Sequence, residues 1–301
     1  MTTVHGHRRA GASGYRELAI ALLITISVMV IELIVGLISG SLALLADAGH
    51  MLTDALALGL ALFAAWVASK PATTQNTYGY YRTEILAALT NGVILLLLVC
   101  WITVHAVDRL HHPSVIQTGP MLAAAVLGLA ANLVSGRILF RAGSQNLNIR
   151  GAWLNVVGDA LGSVGVIMAG LLVRFKGWRM ADPLVSLFIG ALIGINAWML
   201  VKRAVNILLE SAPAHLSTAQ IVQAIRQIDG VEAVHDLHLW TITTGMEAMS
   251  GHLVIRELAQ GPQILAALNR MLSERFGITH TTFQLEVASH ACEAPEVLPR
   301  S

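Results

Sequence analysis

The chain has 301 residues, of which 55% are hydrophobic and only 12% are charged, and its formal net charge is +1. Soluble domains carry about 25% charged residues, so this composition excludes a disordered chain and an ordinary soluble enzyme. The balanced charge gives no basic footprint for a nucleic-acid partner, and two cysteines cannot form a disulfide framework. These features indicate an integral membrane protein.

Six apolar runs are long enough to cross a bilayer, which takes about 20 helical residues. We place these spans near 17–38, 42–68, 82–107, 119–141, 150–174 and 183–208. The first run is too long for a signal peptide and lacks a small-residue cleavage site. We therefore expect a short cytoplasmic segment over 1–16, followed by a six-span membrane domain over 17–208.

Basic residues flank the spans unevenly. Three arginines precede the first span, and Lys202 and Arg203 close the sixth. The flanks of the loops after the second and fourth spans are also basic. Because cytoplasmic flanks are enriched in Lys and Arg, both termini are predicted to be cytoplasmic. The loop before the sixth span is a basic exception on the opposite side.

The tail, residues 209–301, has the pattern of a small water-exposed domain. A helix follows the predicted N-cap Ser217, and two strands join near Gly245. A second helix begins at Pro262 and ends at Gly277, and "TTFQLEV" forms a last strand. The order α-β-β-α-β predicts a two-layer α+β domain.

Polar residues interrupt two of the membrane spans at helical spacing. Asp47, His50 and Asp54 lie at i, i+3 and i+7 of the second span, and Asn155 and Asp159 at i and i+4 of the fifth. Three unpaired Asp residues at the bilayer centre would cost about 8–10 kcal/mol. Carboxylates and an imidazole are ordinary ligands of zinc. The two stripes therefore predict a site for a divalent cation.

Purely structural roles are also open to the polar residues of the spans. A buried Asp can accept hydrogen bonds from neighbouring helices, and Asp47 fits a supporting or entrance role as well as direct ligation. Glu32 and Asp182 fit structural roles, in helix packing or at a helix N-terminus. The segments "HMLTDAL" and "NVVGDAL" resemble each other, as expected of transporters built from internal repeats.

The tail contains a second concentration of metal-binding residue types. Strand alternation places His235 with Leu237 on one face, and Asp236 with His238 on the other. A second metal site is predicted if the sheet brings the strand ends together, and solvated surface side chains are the alternative. The remaining candidates are His252, His280, Glu286, His290 and Cys292.

The motifs "LLADAGHMLTDA", "LNIRGAWLNVVGDALGS", "ADPLVS" and "VHDLHLW" occur in one chain in this order. Together with the six predicted spans, these motifs resemble the cation diffusion facilitator family. The similarity extends from the first span to the last strand and is closest to the bacterial zinc-exporter branch.

This resemblance implies a homodimeric metal/proton antiporter in the bacterial inner membrane. The transport site would consist of His50, Asp54, Asn155 and Asp159, with Asn155 standing where the zinc branch usually has His. The tail would be a cytoplasmic metal-sensing and dimerisation domain with a metallochaperone-like fold. Its regulatory ligands would be His235, His252, His280 and Glu286, which Cys292 could supplement.

The predicted function is efflux of a divalent cation, Zn²⁺ first, with Cd²⁺, Co²⁺, Ni²⁺, Mn²⁺ and Fe²⁺ as alternatives. Its partners would be these ions, protons and the lipid bilayer. A membrane metal sensor or assembly partner that binds metal without transporting it is the main alternative. An intramembrane hydrolase has little support, because no His-Glu-x-x-His motif or nucleophile elbow is present. We therefore expect a transporter and not an enzyme.

Overall fold

A computed structural model describes residues 7–141 and 147–287 of the chain. Within them, six helices are long and apolar enough to cross a membrane. Their bounds are α1 His7–Ser39, α2 Leu42–Ala68, α3 Arg82–His111, α4 Thr118–Arg141, α5 Leu147–Lys176 and α6 Ala181–Leu208. The predicted spans agree with α2 to α6 within a few residues. Helix α1 begins ten residues before its predicted span, so the expected N-terminal segment is helical from His7 onwards.

The chain forms two compact units. One consists of Met1–Leu60 and Thr90–Leu200, and the other of Ala61–Leu89 and Val201–Ser301. Helices α2, α3 and α6 therefore contribute residues to both units. In the first unit, small residues such as Ala43, Ala46 and Ala169 are fully buried, which permits close helix packing.

Helix α2 begins where a carboxylate from α6 caps it. Asp182 is fully buried, and its carboxylate accepts hydrogen bonds from the backbone N–H of Leu42 at 2.8 Å and of Ala43 at 3.3 Å. The Ser41 hydroxyl donates to the same carboxylate and accepts from the N–H of Leu44 at 3.2 Å. The first three N–H groups of α2 are therefore satisfied. The predicted structural role of Asp182 agrees with these contacts, although the carboxylate caps α2 and not its own helix α6.

The tail has the predicted α-β-β-α-β order. Its elements are α7 Thr218–Arg226, β1 Val231–Thr243, β2 Met246–Ile255, α8 Gly261–Phe276 and β3 His280–Glu286, with a short 3₁₀ turn Leu258–Gln260 before α8. Strand β2 lies in the centre of the sheet, antiparallel to β1 and parallel to β3. Ser217 caps α7, and Gly277 ends α8 at a φ of 73°. Apolar residues of both helices and the sheet form one buried core.

Candidate metal centres

Helices α2 and α5 bring the predicted transport residues to one region of the first unit. His50 and Asp54 lie one turn apart on α2, with Nδ1 of His50 3.9 Å from Oδ1 of Asp54. Asn155 of α5 lies against Oδ2 of the same carboxylate, at 2.6 Å from its amide nitrogen. Nδ1 of His50 is buried without a hydrogen-bond partner among the described residues. This nitrogen and the second oxygen of Asp54 are therefore available to a cation.

A cavity of about 670 Å³ opens beside these residues. Its walls come from α1, α2, α4 and α5, and they are mostly apolar. Asp54, Asn155 and Asp159 supply the polar part of this lining together with Thr25, and Asp159 is only 4% exposed. His50 lies outside the lining, although it neighbours Asp54. The cavity can admit a small ion to three of the four predicted residues.

Asp47 lies on α2, one helical turn before His50 and two turns before Asp54. It is 3% exposed, and Gly162 of α5 leaves the space for its carboxylate. A Cβ atom at position 162 would lie 2.7 Å from Oδ1 of Asp47. Glu32 of α1 is buried in a similar way beside Gly128 of α4. Neither acid lines the cavity, which favours a supporting position over direct ligation.

The tail gathers three of its predicted ligands on the sheet. His235 and His252 are direct partners across β1 and β2, and Glu286 ends β3 beside them. Their ligand atoms all lie within 4.8 Å of one another. Oε2 of Glu286 is 3.1 Å from Nε2 of His235, and Oε1 is 2.8 Å from Nδ1 of His252.

The chemistry of this cluster fits a metal ion. Glu286 is 5% exposed, and the Nδ1 atoms of both histidines are buried without a partner in hydrogen-bond geometry among the described residues. Two imidazoles and a carboxylate form a common zinc ligand set with one position left open. Gln284 donates to Oε1 of Glu286 at 2.9 Å and so orients the carboxylate. The sequence pattern does not single out Gln284, because its place opposite His252 follows from the pairing of β2 with β3.

The structure separates His280 from this cluster. His280 begins β3 opposite Ala248, four register positions from the Gln284–His252 pair. Its ring lies 5.7 Å from the ring of Tyr78. His280 therefore does not join the other predicted ligands, because His280 and Glu286 lie at opposite ends of the extended strand β3. His290 and Cys292 lie outside the described residues.

A bulge in β1 alters the predicted alternation of side chains. The register shifts between His235 and His238, and Asp236 adopts a φ of 49°. Its carboxylate contacts His238 at 3.1 Å, as expected for one strand face, but also lies 3.8 Å from Nε2 of His252. His252 belongs to the face of His235. A bulge changes the direction of side chains in this way. Simple strand alternation cannot predict the bulge.

Two known domain families match this chain. Residues 18–209 match the cation efflux transmembrane domain, and residues 213–288 match the cytoplasmic domain of cation efflux proteins. The chain belongs to the cation efflux family. The predicted family and the predicted fold class, six membrane helices before a small α+β domain, are both confirmed.

Several bacterial members of the cation efflux family are similar over nearly their whole length. A cadmium, cobalt and zinc/H⁺-K⁺ antiporter of Bacillus velezensis is 40% identical, over 95% of this chain and 93% of that protein. The metal cation efflux system protein CzcD of Cupriavidus metallidurans is 41% identical, over 94% and 90%. The zinc transporter ZitB of Escherichia coli is 38% identical, over 93% and 90%.

One solved structure, the metal-bound C-terminal domain of the CzcD transporter from Cupriavidus metallidurans, is 33% identical to the aligned part of this chain. The match covers 24% of this chain and 100% of that structure, with a TM-score of 0.23.

Proposed function

We propose that this member of the cation efflux family exports divalent metal cations, Zn²⁺ foremost, in exchange for protons. The observation that carries the proposal is the group His50, Asp54, Asn155 and Asp159 beside a cavity among membrane helices. Ionisable residues inside a membrane bundle are costly and mark ion pathways. The names of the relatives, which include zinc, cadmium, cobalt and antiport, support the same activity.

Export of a dication needs a source of free energy. Moving a charge of +2 out against 100 mV costs about 4.6 kcal/mol, because one elementary charge costs about 2.3 kcal/mol. Each proton that enters down the same potential releases about 2.3 kcal/mol. Carboxylates and a neutral imidazole bind either ion at the same atoms, since metal ligands must lose their protons. One site can therefore exchange the two cations.

The four side chains have different roles in this proposal. Nδ1 of His50 and an oxygen of Asp54 would bind the ion from α2, and the Asp159 carboxylate from α5. Asn155 donates its N–H to the other oxygen of Asp54, which fixes the carboxylate and leaves the amide oxygen as a fourth, weaker ligand. Alternating exposure of this group would carry the ion across.

The ligand set accommodates several metals. One imidazole with carboxylate and amide oxygens suits zinc and also harder ions such as manganese. Zinc, cadmium and cobalt are the metals in the relatives' names. We propose zinc as the main substrate, with cadmium, cobalt, nickel, manganese and iron as further candidates.

The tail would act as a cytoplasmic regulatory domain. A zinc ion held by His235, His252 and Glu286 would cross-link the three strands of the sheet. We propose that the chain functions as a homodimer through this domain, because its match is to the cytoplasmic dimerisation domain of the family. Both termini would be cytoplasmic, in the inner membrane of a bacterium.

Flux into proteoliposomes tests the proposed activity. With a proton gradient imposed, the unaltered protein should move Zn²⁺ against its concentration gradient. Asp54→Ala and Asp159→Ala should each reduce this flux to that of empty vesicles, because each removes a charged ligand. Asp108→Ala is the matched control, since Asp108 is an acid near the end of α3 with a 71% exposed side chain.

Two results would contradict the proposal. Normal flux in a well-expressed Asp54→Ala or Asp159→Ala variant would remove the residue from the transport site. Tight Zn²⁺ binding by the unaltered protein without any flux, under every gradient, would instead support the membrane metal sensor.

A further inference from the structure

Asp236 has an unusual backbone conformation. Its φ of 49° lies in the left-handed region, which is unfavourable for residues that carry a Cβ atom, although Asp and Asn tolerate it better than most. The residue lies in the β1 bulge, directly after the predicted ligand His235. Unfavourable backbone conformations are retained where the surrounding structure or the function requires them.

The contacts of Asp236 show what this conformation achieves. Oδ2 lies 3.8 Å from Nε2 of His252, whereas Nδ1 of the same ring faces Oε1 of Glu286 at 2.8 Å. One imidazole therefore lies between two carboxylates. Oδ1 of Asp236 contacts Nε2 of His238 at 3.1 Å, which restricts rotation of the carboxylate. An extended residue at position 236 would direct its side chain to the opposite face of the strand.

We propose that Asp236 is a positioning residue for the cytoplasmic metal site, where it holds His252 in the tautomer that binds metal. With Nε2 protonated and facing Asp236, Nδ1 keeps its lone pair for an ion that it would share with His235 and Glu286. Metal-bound histidines commonly donate their second N–H to a carboxylate, which orients the ring and strengthens the ligand. A ring shift of about 0.8 Å would bring the 3.8 Å separation to a normal hydrogen-bond length. This inference rests on the proposed cytoplasmic site.

Metal affinity of the purified full chain tests the inference. The background carries Asp54→Ala and Asp159→Ala, so that the membrane site does not contribute. Zn²⁺ affinity is measured by competition with a chromophoric chelator, and the absorption spectrum of bound Co²⁺ reports the ligand geometry. Asp236→Asn keeps the size and backbone tolerance of Asp but removes the charge. It should weaken Zn²⁺ binding by about 10- to 100-fold, with one ion still bound and an altered Co²⁺ spectrum.

Three further variants complete the design. Asp229→Asn removes an exposed acid of the same domain and should leave the affinity unchanged. Asp236→Gly removes the carboxylate while relieving the backbone, so it should weaken binding like Asp236→Asn, even if one of the two variants folds poorly. Glu286→Gln removes a direct ligand and should weaken binding at least as strongly.

The outcomes distinguish the inference from the site on which it rests. If Glu286→Gln leaves Zn²⁺ binding unchanged, the proposed cytoplasmic site is wrong, and the role of Asp236 is overturned with it. If Glu286→Gln weakens binding but the Asp236 variants do not, only the positioning role is overturned. Two ions bound in the background protein and one in Asp236→Asn would make Asp236 a ligand of a second ion, which also overturns it.

Discussion

At the proposed membrane site, Asn155 acts as a hydrogen-bond donor. A contact of 2.6 Å to Oδ2 of Asp54 requires an N–H, because two oxygens without a proton between them would repel each other. The amide oxygen of Asn155 then remains available to a cation or to water.

Metal preference should follow the residue at position 155. Asn155→His supplies a second nitrogen ligand, which zinc favours more than manganese does, so the ratio of zinc to manganese flux should rise. Asn155→Ala should lower the affinity for both metals about tenfold, because Asp54 loses the donor that orients it. Competitive flux of the two metals measures the ratio, and flux of each metal alone over a range of concentrations measures its affinity. An identical ratio in all three proteins would exclude Asn155 from selectivity.

The sequence predicts the residue types of both candidate metal sites better than it predicts their geometry. Helical spacing is sufficient to place His50 with Asp54 and Asn155 with Asp159, because i, i+3 and i+4 positions share a helix face. The separation of His280 from His235 depends on strand register, and the approach of Asp236 to His252 depends on a bulge. Neither register nor bulge follows from local periodicity, since each is set by packing between distant segments.

At the scale of elements, the N-terminus of α2 is tied to α6 and α3. Asp182 caps α2 across 140 residues of sequence, and Arg109 of α3 lies 3.7 Å from the same carboxylate while donating to the Gly40 carbonyl. His50 follows Leu42 by eight residues, or about 12 Å along the helix. These contacts therefore anchor the helix that carries two of the proposed ligands.

Removing the carboxylate should destabilise this end of the bundle. Asp182→Ala loses an N-cap, worth about 1 kcal/mol, and removes the carboxylate that lies 3.7 Å from the half-buried Arg109. The thermal unfolding midpoint in detergent should fall by several degrees. Asp182→Asn keeps an acceptor oxygen and should fall less, and the exposed-site control Asp108→Asn should not change. An unaltered midpoint in Asp182→Ala would show that the cap contributes no stability.

At the scale of the whole molecule, the two proposed metal centres are expected to have different functions. The proposed membrane group lies beside a cavity among helices that are long and apolar enough to cross a bilayer. The group of His235, His252 and Glu286 belongs to the tail sheet, outside the six candidate membrane spans found among the described residues. Metal bound to the tail cannot itself cross the membrane, so it can affect transport only through the conformation or assembly of the protein.

Loss of the tail site should therefore tune transport without abolishing it. The variant His235→Ala/His252→Ala removes two ligands, so Zn²⁺ should no longer stabilise the tail. At a hundredfold excess over the dissociation constant, that stabilisation amounts to about 2.7 kcal/mol. Flux measured over a range of Zn²⁺ concentrations should reach its half-maximum at a different concentration, and the dimer should dissociate more readily on dilution.

His280→Ala is the matched control, because His280 lies apart from the cluster on β3, and it should behave like the unaltered protein. Complete loss of flux in the double variant, with dimers intact by native mass spectrometry, would assign the tail site a direct part in transport.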